Sequence, residues 1–350
     1  MMARTSRAAI LARSHQPLIV DDIELPAHLD SGQVLVRLLY SGICGSQLGE
    51  IDAIKGPDKH LPHLLGHEGT GVVEEIGAGV STVAVGDTVV LHWRKGSGIE
   101  AAPPRYRWRG EPLNAGWVTT FNELAVVSEN RLTAIDADQD LRAAALLGCP
   151  VTTGLGTVLR EAQLGPGESA VVIGAGGVGL SQILAAQLVS AARIVAVDRT
   201  ETKLELARRL GATDVIASGD EVAAAIAAAV GEGGADAVFE NTGVTTMIEL
   251  AVRVTAPQGR CILVGVPQEA DASLNTLPLH FGQRWIGSHG GSSEPAVDIP
   301  RYLRLARSGQ LPLSQLVTDS CRLDEINDAL DRLRRGEIAG RCLITFEKRG

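Results

Sequence analysis

Aromatic residues, basic charge and long apolar runs are all scarce in this 350-residue chain. Phe, Trp and Tyr make up only 3% of it, which disfavours a surface that binds nucleic acid by stacking its bases. Lys and Arg number 32 against 41 Asp and Glu, and a net charge of −9 indicates no basic face for phosphates. No apolar stretch is long and unbroken enough to span a bilayer. We therefore expect neither a nucleic-acid partner nor a membrane partner.

Cysteine is also sparse, and its spacing argues against a disulfide framework. The cysteines are five in number, widely spaced and without a C-x-x-C pair: Cys44, Cys149, Cys261, Cys321 and Cys342. Because the count is odd and no signal peptide is visible, this usage indicates a reducing compartment, and we expect a cytoplasmic protein. Any metal site must then be assembled from residues that lie far apart in the sequence.

The pattern of residues along the chain changes twice, which predicts two domains in an α/β protein. Residues 1–150 contain short β-like runs broken by Gly, Pro and Asp, as in an irregular, mostly antiparallel β domain. Residues 151–290 alternate apolar strands with helical segments, which predicts a doubly wound parallel sheet. Residues 291–350 mix helix with a final strand, and we expect them to complete the first domain. Residues 94–112 are expected to form an exposed loop.

A glycine-rich turn follows the first apolar strand of the second domain. The segment VVIGAGGVGL carries the pattern Gly174-x-Gly176-x-x-Gly179 and opens a helical stretch. In this context the pattern predicts a dinucleotide-binding turn. Gly174 permits the tight turn, Gly176 lets the backbone approach a pyrophosphate, and Gly179 allows close packing of the helix. The helix N-terminus favours the phosphate charge.

The next strand ends in Asp198, which is expected to choose the cofactor. Its carboxylate would accept hydrogen bonds from the adenosine ribose and repel a 2′-phosphate, so the sequence predicts NAD. Arg199 weakens this preference, since arginine can pair with a 2′-phosphate. Gly177 and Val178, inside the turn, belong to the same predicted site. The alternative is a glycine-rich turn in an ordinary βαβ unit, with Asp198 as a helix cap.

An ionisable pair, His67–Glu68, lies between glycines in the segment LLGHEGTGVVEEIGAGV. By itself a histidine in such a turn is more often structural. However, SGICGSQ places Cys44 near glycines, and LLGCPVTTGLG places Cys149 just before the predicted cofactor domain. Two thiolates and an imidazole suit Zn²⁺ in a catalytic site, where three protein ligands leave a fourth position open. The alternative for each cysteine is a small buried apolar side chain.

Taken together, these segments resemble the zinc-dependent alcohol dehydrogenases of the medium-chain dehydrogenase/reductase superfamily. The resemblance covers nearly the whole chain and rests on GICGS, GHEGTGVVEEIGAGV, VGDTVV, GCPVTTGLGTV, GAGGVGL, AVD and GRCLITF. It implies a GroES-like catalytic β domain with a Rossmann domain, an alcohol or carbonyl substrate, and a homo-oligomer (dimer or tetramer). It also implies that Cys44, His67 and Cys149 bind the catalytic zinc. Glu68 then lies just behind the metal or serves as an alternative ligand.

The resemblance implies further roles outside this ligand set. Ser46 matches the hydroxyl that takes the alcohol proton, and Trp93 matches a position in the substrate pocket. Trp117 is expected to line the mouth of that pocket. The implied cofactor contacts reach the ribose, the pyrophosphate and the nicotinamide respectively: Lys203; Arg341; and Val264, Gly265 and Val266. The alternatives are a core position for Trp93 and a surface position for Arg341.

Three departures from the family pattern shape the expectations. No cysteine occurs in residues 94–112, where many members carry a structural zinc lobe, so we expect one zinc per chain. Gln47 stands where a carboxylate usually orients the ligand histidine, which should make that imidazole a weaker donor. Gly49 stands where some members have a relay histidine. Water or a cofactor hydroxyl should complete the proton path; the weaker candidates are His60, His63 and His92.

The sequence therefore predicts a zinc- and NAD-dependent alcohol dehydrogenase. Three alternatives stay open. One is a sugar or polyol dehydrogenase of the same superfamily, and another is a zinc-free quinone reductase or NADP(H)-binding protein. The third is a relative that has lost catalysis, for which Gln47 and Gly49 would be the symptoms.

Overall fold

The computed structural model describes residues 4–267 and 271–346. The chain divides into two compact units, one made of Met1–Cys149 with Glu294–Gly350 and the other of Pro150–Ser293. Over the described ranges, no single helix is both long and apolar enough to cross a membrane, although the consecutive helical segments 141–148 and 150–162 together meet that test of length and composition.

Strands dominate the first unit, and strands alternate with helices in the second. The strands, in chain order, are β1 (Thr5–Leu11), β2 (Ile19–Glu24), β3 (Gln33–Gly42), β4 (His63–Leu64), β5 (Gly69–Ile76), β6 (Thr88–Leu91), β7 (Tyr106–Trp108), β8 (Glu111–Leu113), β9 (Leu124–Ser128), β10 (Leu132–Ile135), β11 (Ser169–Ile173), β12 (Arg193–Asp198), β13 (Asp214–Ala217), β14 (Ala235–Glu240), β15 (Thr255–Leu263), β16 (Arg284–Gly287), β17 (Val317–Arg322) and β18 (Arg341–Thr345). The α-helices are α1 (Gly45–Ile51), α2 (Leu141–Ala144), α3 (Pro150–Gly156), α4 (Gly177–Leu188), α5 (Glu201–Arg209), α6 (Val222–Val230), α7 (Thr245–Arg253), α8 (Pro295–Arg307) and α9 (Ile326–Arg334). The π-helical segment Thr157–Ala162 continues α3, and 3₁₀ turns occupy Glu129–Arg131, Ala145–Gly148, Leu277–Phe281, Leu313–Leu316 and Leu323–Glu325.

The first unit is built on two β-sheets. One has five strands in the order β4-β1-β2-β7-β8, and the other has seven, ordered β10-β6-β5-β3-β18-β17 with β9 also paired to β3. The paired strands run antiparallel except β17 and β18, which confirms the predicted mostly antiparallel domain. Strand alternation buries one face of β3, where Val34, Val36 and Leu38 pack against Val73 and Leu91. β18 pairs with β3, so the C-terminal segment is part of this sheet.

The expectation of an exposed loop over residues 94–112 is wrong in part. The segment forms β7 and β8, which extend the five-stranded sheet. Tyr106 is only 1% exposed, and its hydroxyl accepts a hydrogen bond of 2.7 Å from the Val126 backbone N–H. The buried Glu129 carboxylate accepts another, of 2.7 Å, from the Ile99 N–H. These contacts fix the segment against buried residues of the first unit, whereas its run of Gly, Pro and Arg signals only a turn-rich surface.

The second unit contains the predicted parallel sheet. Its six strands are ordered β13-β12-β11-β14-β15-β16, and each neighbouring pair is parallel. This order, in which the chain winds outward in both directions from β11, is that of a dinucleotide-binding fold. Helices end where glycine signals predicted: Gly211 follows α5 with φ +113°, and Gly231 caps α6 with φ +95°.

Candidate active site

The structure brings two cysteines and a histidine together in the first unit. The ligand atoms of Cys44, His67 and Cys149 all lie within 4.8 Å of one another. Cys44 caps the N-terminus of α1, His67 lies between β4 and β5, and Cys149 ends a 3₁₀ turn. Two thiols and an imidazole at this separation are a donor set that fits a zinc ion. The expected ligand set is therefore assembled as predicted.

Glycines create the turn that carries His67. Gly66 has φ +87°, and a Cβ there would lie 2.4 Å from the Thr120 side-chain oxygen. A Cβ on Gly69 would lie 2.5 Å from the Tyr40 carbonyl oxygen, because β3 and β5 approach closely there. Any larger residue at either position would displace the turn. Steric crowding therefore explains why glycines flank the His67–Glu68 pair.

Glu68 is fully buried behind the cluster and pairs with Arg341. The two side chains are 0% and 6% exposed, and the Arg341 guanidinium donates to Glu68 Oε1. Glu68 Oε2 is buried and has no hydrogen-bond partner among the described residues, which fits a nearby cation. Glycine makes the space: a Cβ on Gly42 would lie 2.5 Å from Glu68 Oε1, and one on Gly148 would lie 2.8 Å from Glu68 Cα.

The two thiols have opposite protonation tendencies. A hydrogen bond from Cys149 holds the pKa of Cys44 well below the ordinary value for a thiol, and the charges of Arg341 and His67 act in the same direction. Contact with Cys44, together with burial, raises the pKa of Cys149 well above that value. The adjacent Trp93 side chain opposes this rise. The two shifts are opposite because the thiols share one hydrogen bond.

Gln47 lies between two members of the cluster. It is 1% exposed, and its Oε1 accepts a hydrogen bond of 3.0 Å from the Cys44 backbone N–H. Its Nε2 lies 2.7 Å from His67 Nδ1. Ser46 occupies the first turn of the same helix and is exposed. Gln47 therefore contacts the predicted ligand histidine directly, as its position in the sequence suggested.

The histidines named as weaker relay candidates are engaged elsewhere or exposed. Burial lowers the pKa of His92 to about 4, and its ring nitrogens bond to the Arg94 carbonyl and the Thr133 hydroxyl. His63 Nε2 pairs with Asp58 at 2.8 Å, and its Nδ1 lies 3.0 Å from the Leu64 carbonyl. His60 is exposed. His92 is thus a neutral structural residue.

The glycine-rich turn of the second unit has the geometry that the pattern requires. Gly174 has φ +91°, and a Cβ on Gly179 would lie 2.1 Å from the Gly174 carbonyl oxygen. A Cβ on Gly176, the residue that caps α4, would meet no atom within 4 Å, so the space above the turn is open. Gly177 and Val178 form the first turn of α4, where free backbone N–H groups favour a phosphate. The turn therefore fits the pyrophosphate of a dinucleotide.

Asp198 ends β12 beside this turn. Its carboxylate accepts hydrogen bonds of 2.8 Å from the Ala175 N–H and 3.0 Å from the Thr200 N–H. A carboxylate has about four acceptor sites, so sites are left for ribose hydroxyls. Arg199 is exposed and Lys203 is half-buried on α5. The hydrogen bond from the Ala175 N–H fixes the Asp198 carboxylate, the candidate ribose-binding group, beside the glycine turn.

Glu240 organises the far side of the second unit's site and was missed by sequence reasoning. It is fully buried at the end of β14, and its carboxylate accepts from the backbone N–H groups of Thr242 and Gly243. Its own carbonyl accepts from the N–H groups of Val264 and Gly265 at 2.8 and 3.0 Å. The signal in the sequence was a charged residue directly after the apolar run 237–239.

The remaining candidates differ in exposure. Val266 is 53% exposed and Trp117 is 45% exposed, whereas Trp93, Val264 and Gly265 are half-buried. The Arg131 guanidinium lies 5.4 Å from the Trp117 ring, whereas Trp93 lies against the metal cluster. A pocket role for Trp117 and a nicotinamide role for Val264–Val266 stay predictions.

Two family descriptions match this chain. "Alcohol dehydrogenase GroES-like domain" matches residues 30–137, and "Zinc-binding dehydrogenase" matches residues 177–308. The S-(hydroxymethyl)glutathione dehydrogenases of Escherichia coli and Shigella sonnei are 31% identical over 361 residues, covering 95% of this chain and 97% of each relative.

Solved structures agree with these matches. An alcohol dehydrogenase zinc-binding domain protein from Burkholderia ambifaria has a TM-score of 0.90 and 29% identity, covering 99% of this chain and 100% of its own. Benzyl alcohol dehydrogenase from Acinetobacter calcoaceticus has a TM-score of 0.88 and 29% identity, covering 98% and 100%. Together these likenesses confirm the predicted GroES-like and Rossmann architecture.

Proposed function

Because this chain belongs to the zinc-dependent alcohol dehydrogenase family of the medium-chain dehydrogenase/reductase superfamily, we propose that Cys44, His67 and Cys149 bind its catalytic zinc. The chain is an oxidoreductase that transfers a hydride between an alcohol or carbonyl compound and NAD(H). The observation that carries the residue assignment is the approach of the three ligand atoms to within 4.8 Å.

The first unit binds and orients the substrate oxygen. Cys44, His67 and Cys149 would hold a zinc ion there, and the ion would supply the Lewis acidity that helps an alcohol lose its proton. Ser46 Oγ accepts that proton. Glu68, backed by Arg341, holds a buried negative charge behind the ligands and tunes how strongly they attract the cation. Glu68 Oε2 stays available as an alternative ligand.

The second unit binds the cofactor, which accepts the hydride when it is bound. The glycine turn holds the pyrophosphate at the N-terminus of α4, and Asp198 holds the adenosine ribose. Lys203 adds a ribose contact. Arg341, which the family resemblance assigns to the pyrophosphate, lies buried in the first unit, where it pairs with Glu68. The Glu240 carboxylate and carbonyl fix two adjacent backbone segments, 242–243 and 264–265, so that the nicotinamide meets a rigid surface.

The substrate is proposed to be a primary alcohol with an apolar group. The Trp93 indole lies beside the Cys149 sulfur and would provide an apolar wall next to the reacting oxygen. Of the similar proteins, one is named for benzyl alcohol and others for S-(hydroxymethyl)glutathione. A panel of aromatic, aliphatic and sugar alcohols with S-(hydroxymethyl)glutathione, followed by NADH absorbance, tests this. Aromatic primary alcohols should give a higher kcat/KM than polyols, and a preference for polyols would contradict the proposal.

Replacement of Ser46 by alanine should lower kcat by about 10²- to 10⁴-fold, the usual contribution of a proton acceptor. The KM for NAD should change little, because Ser46 lies in the first unit and the glycine turn lies in the second. Ser46→Thr, which keeps the hydroxyl, is the matched control and should retain most of the activity. Measurement of kcat from about pH 6 to 10 should also show no histidine-like step. An unchanged kcat in Ser46→Ala would remove this serine from the mechanism.

We also propose that the protein is a homo-oligomer and that it is located in the cytoplasm. Leu277 and Phe281, which are 57% and 65% exposed, directly precede the edge strand β16, and this apolar edge suits a second copy of the chain. Light scattering that gives the mass of one chain would contradict the oligomer.

A further inference from the structure

Three groups lie in a ring at the start of α1. The Cys44 backbone N–H donates to Gln47 Oε1 at 3.0 Å, and Gln47 Nε2 lies 2.7 Å from His67 Nδ1. The ligand atoms of His67 and Cys44 lie within 4.8 Å of each other and close the ring. Gln47 is 1% exposed, so the ring is closed to solvent at its amide. Two of its three members are the proposed metal ligands.

The amide of Gln47 has one acceptor, its oxygen, and one donor group, its NH₂. In the structure the oxygen serves the Cys44 N–H, so the NH₂ serves His67 Nδ1. A neutral imidazole that accepts at Nδ1 carries its proton on Nε2. In this tautomer both polar groups of the amide have partners, but Nε2 has no lone pair for a metal ion.

Metal binding reverses the role of Nδ1. A histidine that binds zinc through Nε2 carries its proton on Nδ1, and that N–H needs an acceptor. Two donors then face one amide: the Cys44 backbone N–H and the His67 Nδ1–H. The amide oxygen has two lone pairs, but it faces the Cys44 N–H while the NH₂ group faces His67, so in this orientation only the Cys44 N–H has an acceptor. Water does not reach this buried position to supply another. If the amide turns over to serve His67, the Cys44 N–H loses the bond that caps α1.

We propose that Gln47 is a positioning residue that holds the zinc affinity of this cluster below what its three ligands could provide. In the metal-free state, the amide gives both the Cys44 N–H and His67 Nδ1 a hydrogen-bond partner. When zinc is bound, the amide leaves one of the two N–H donors without an acceptor. The proposal rests on the zinc site proposed for Cys44, His67 and Cys149. We therefore expect zinc to leave this site faster than it would leave the same three ligands if position 47 carried a carboxylate.

The isosteric change Gln47→Glu tests this directly. A carboxylate accepts from both N–H groups at once, so the conflict disappears and the ring keeps its length. We expect the zinc dissociation constant to fall by about 10- to 100-fold, and zinc release to a chelator to slow correspondingly. Both are measured on the full-length chain by competition with a chromophoric chelator, without reference to activity.

Gly45→Asp is the matched control for charge alone. Gly45 is exposed, is adjacent to Cys44, and a Cβ there meets no atom within 4 Å. Gln47 keeps its contact with His67 Nδ1 in this variant, so the added exposed charge should change zinc affinity by a few-fold at most. A gain in Gly45→Asp equal to that in Gln47→Glu would overturn the proposal.

A measurement on the wild type needs no variant. Hydrogen exchange of the Cys44 amide, followed by NMR, should quicken when zinc is added to the metal-free chain, since the capping bond is lost. In Gln47→Glu it should stay slow in both states. Slow exchange in zinc-loaded wild type, or equal zinc affinity in Gln47→Glu and wild type, would refute the role of Gln47 while leaving the zinc site intact. Absence of zinc binding in every variant would refute the zinc site and this proposal together.

Discussion

A Cys149→Ser variant is expected to lose its zinc and nearly all of its turnover while it stays folded. Cys149 supplies one of two thiolates in the cluster, and a serine hydroxyl is a poor zinc ligand at neutral pH. Charge stabilisation by the ion is worth several kcal/mol, so kcat should fall by at least about 10³-fold. Elemental analysis counts the zinc, steady-state kinetics gives kcat, and thermal unfolding followed by circular dichroism reports the fold.

Cys321→Ser is the control for this change. It exchanges the same atom in the same unit, at a half-buried cysteine outside the cluster, and should keep about one zinc per chain. The wild type should also hold one zinc, because residues 94–112 contain no cysteine. About two zinc ions per chain, or full zinc and full turnover in Cys149→Ser, would contradict the site assignment.

The wild-type enzyme should use NAD at least about 100-fold better than NADP in kcat/KM. Like charges about 4 Å apart repel by roughly 4 kcal/mol at an effective dielectric of 20, and salt reduces this to about the 2.7 kcal/mol of a 100-fold preference. Asp198 is fixed for this task by the N–H groups of Ala175 and Thr200. Kinetics with the two cofactors under identical salt measures the ratio.

Asp198→Asn separates charge from shape in this preference. The amide keeps the size of the side chain but removes the repulsion, so the NAD-to-NADP ratio should fall by about tenfold or more. Arg199→Ala, at the exposed neighbouring position, should lower the residual use of NADP and leave NAD kinetics unchanged. A wild-type enzyme with the higher kcat/KM for NADP would assign the pocket to Arg199 instead.

Sequence reasoning succeeded where local chemistry and chain geometry point to the same answer. Gly174 lies in a tight turn and Gly179 lies where a helix packs closely, and only glycine fits at either position. The glycine pattern therefore predicts the local backbone geometry. The alternation of apolar strands and helices likewise restricts the second unit to a parallel sheet. His67, Cys44 and Cys149 were found because each stands beside glycines and together they match one metal's preferred ligands.

The expectation for residues 94–112 failed for a physical reason. A few anchors hold the segment, chiefly the buried Tyr106 hydroxyl and the Glu129 carboxylate, and both partners come from distant parts of the chain. Composition reports average polarity, and one buried aromatic among Gly, Pro and Arg hardly changes that average. Such a side chain stabilises the segment only when it forms a hydrogen bond with a backbone N–H, and that N–H comes within reach only when the chain folds.

The residue types and their spacing were enough to predict the α/β architecture, the glycine turn and the three residues that the structure brings together as candidate zinc ligands. These depend on periodicity, on glycine stereochemistry and on the chemistry of thiolates and imidazoles, all of which are properties of short segments. The pairing of Glu68 with Arg341, the role of Glu240 and the hydrogen-bond conflict at Gln47 emerged only from the folded chain. Each depends on which donor meets which acceptor away from solvent, and in a buried site that match is decided by packing between segments far apart in the sequence.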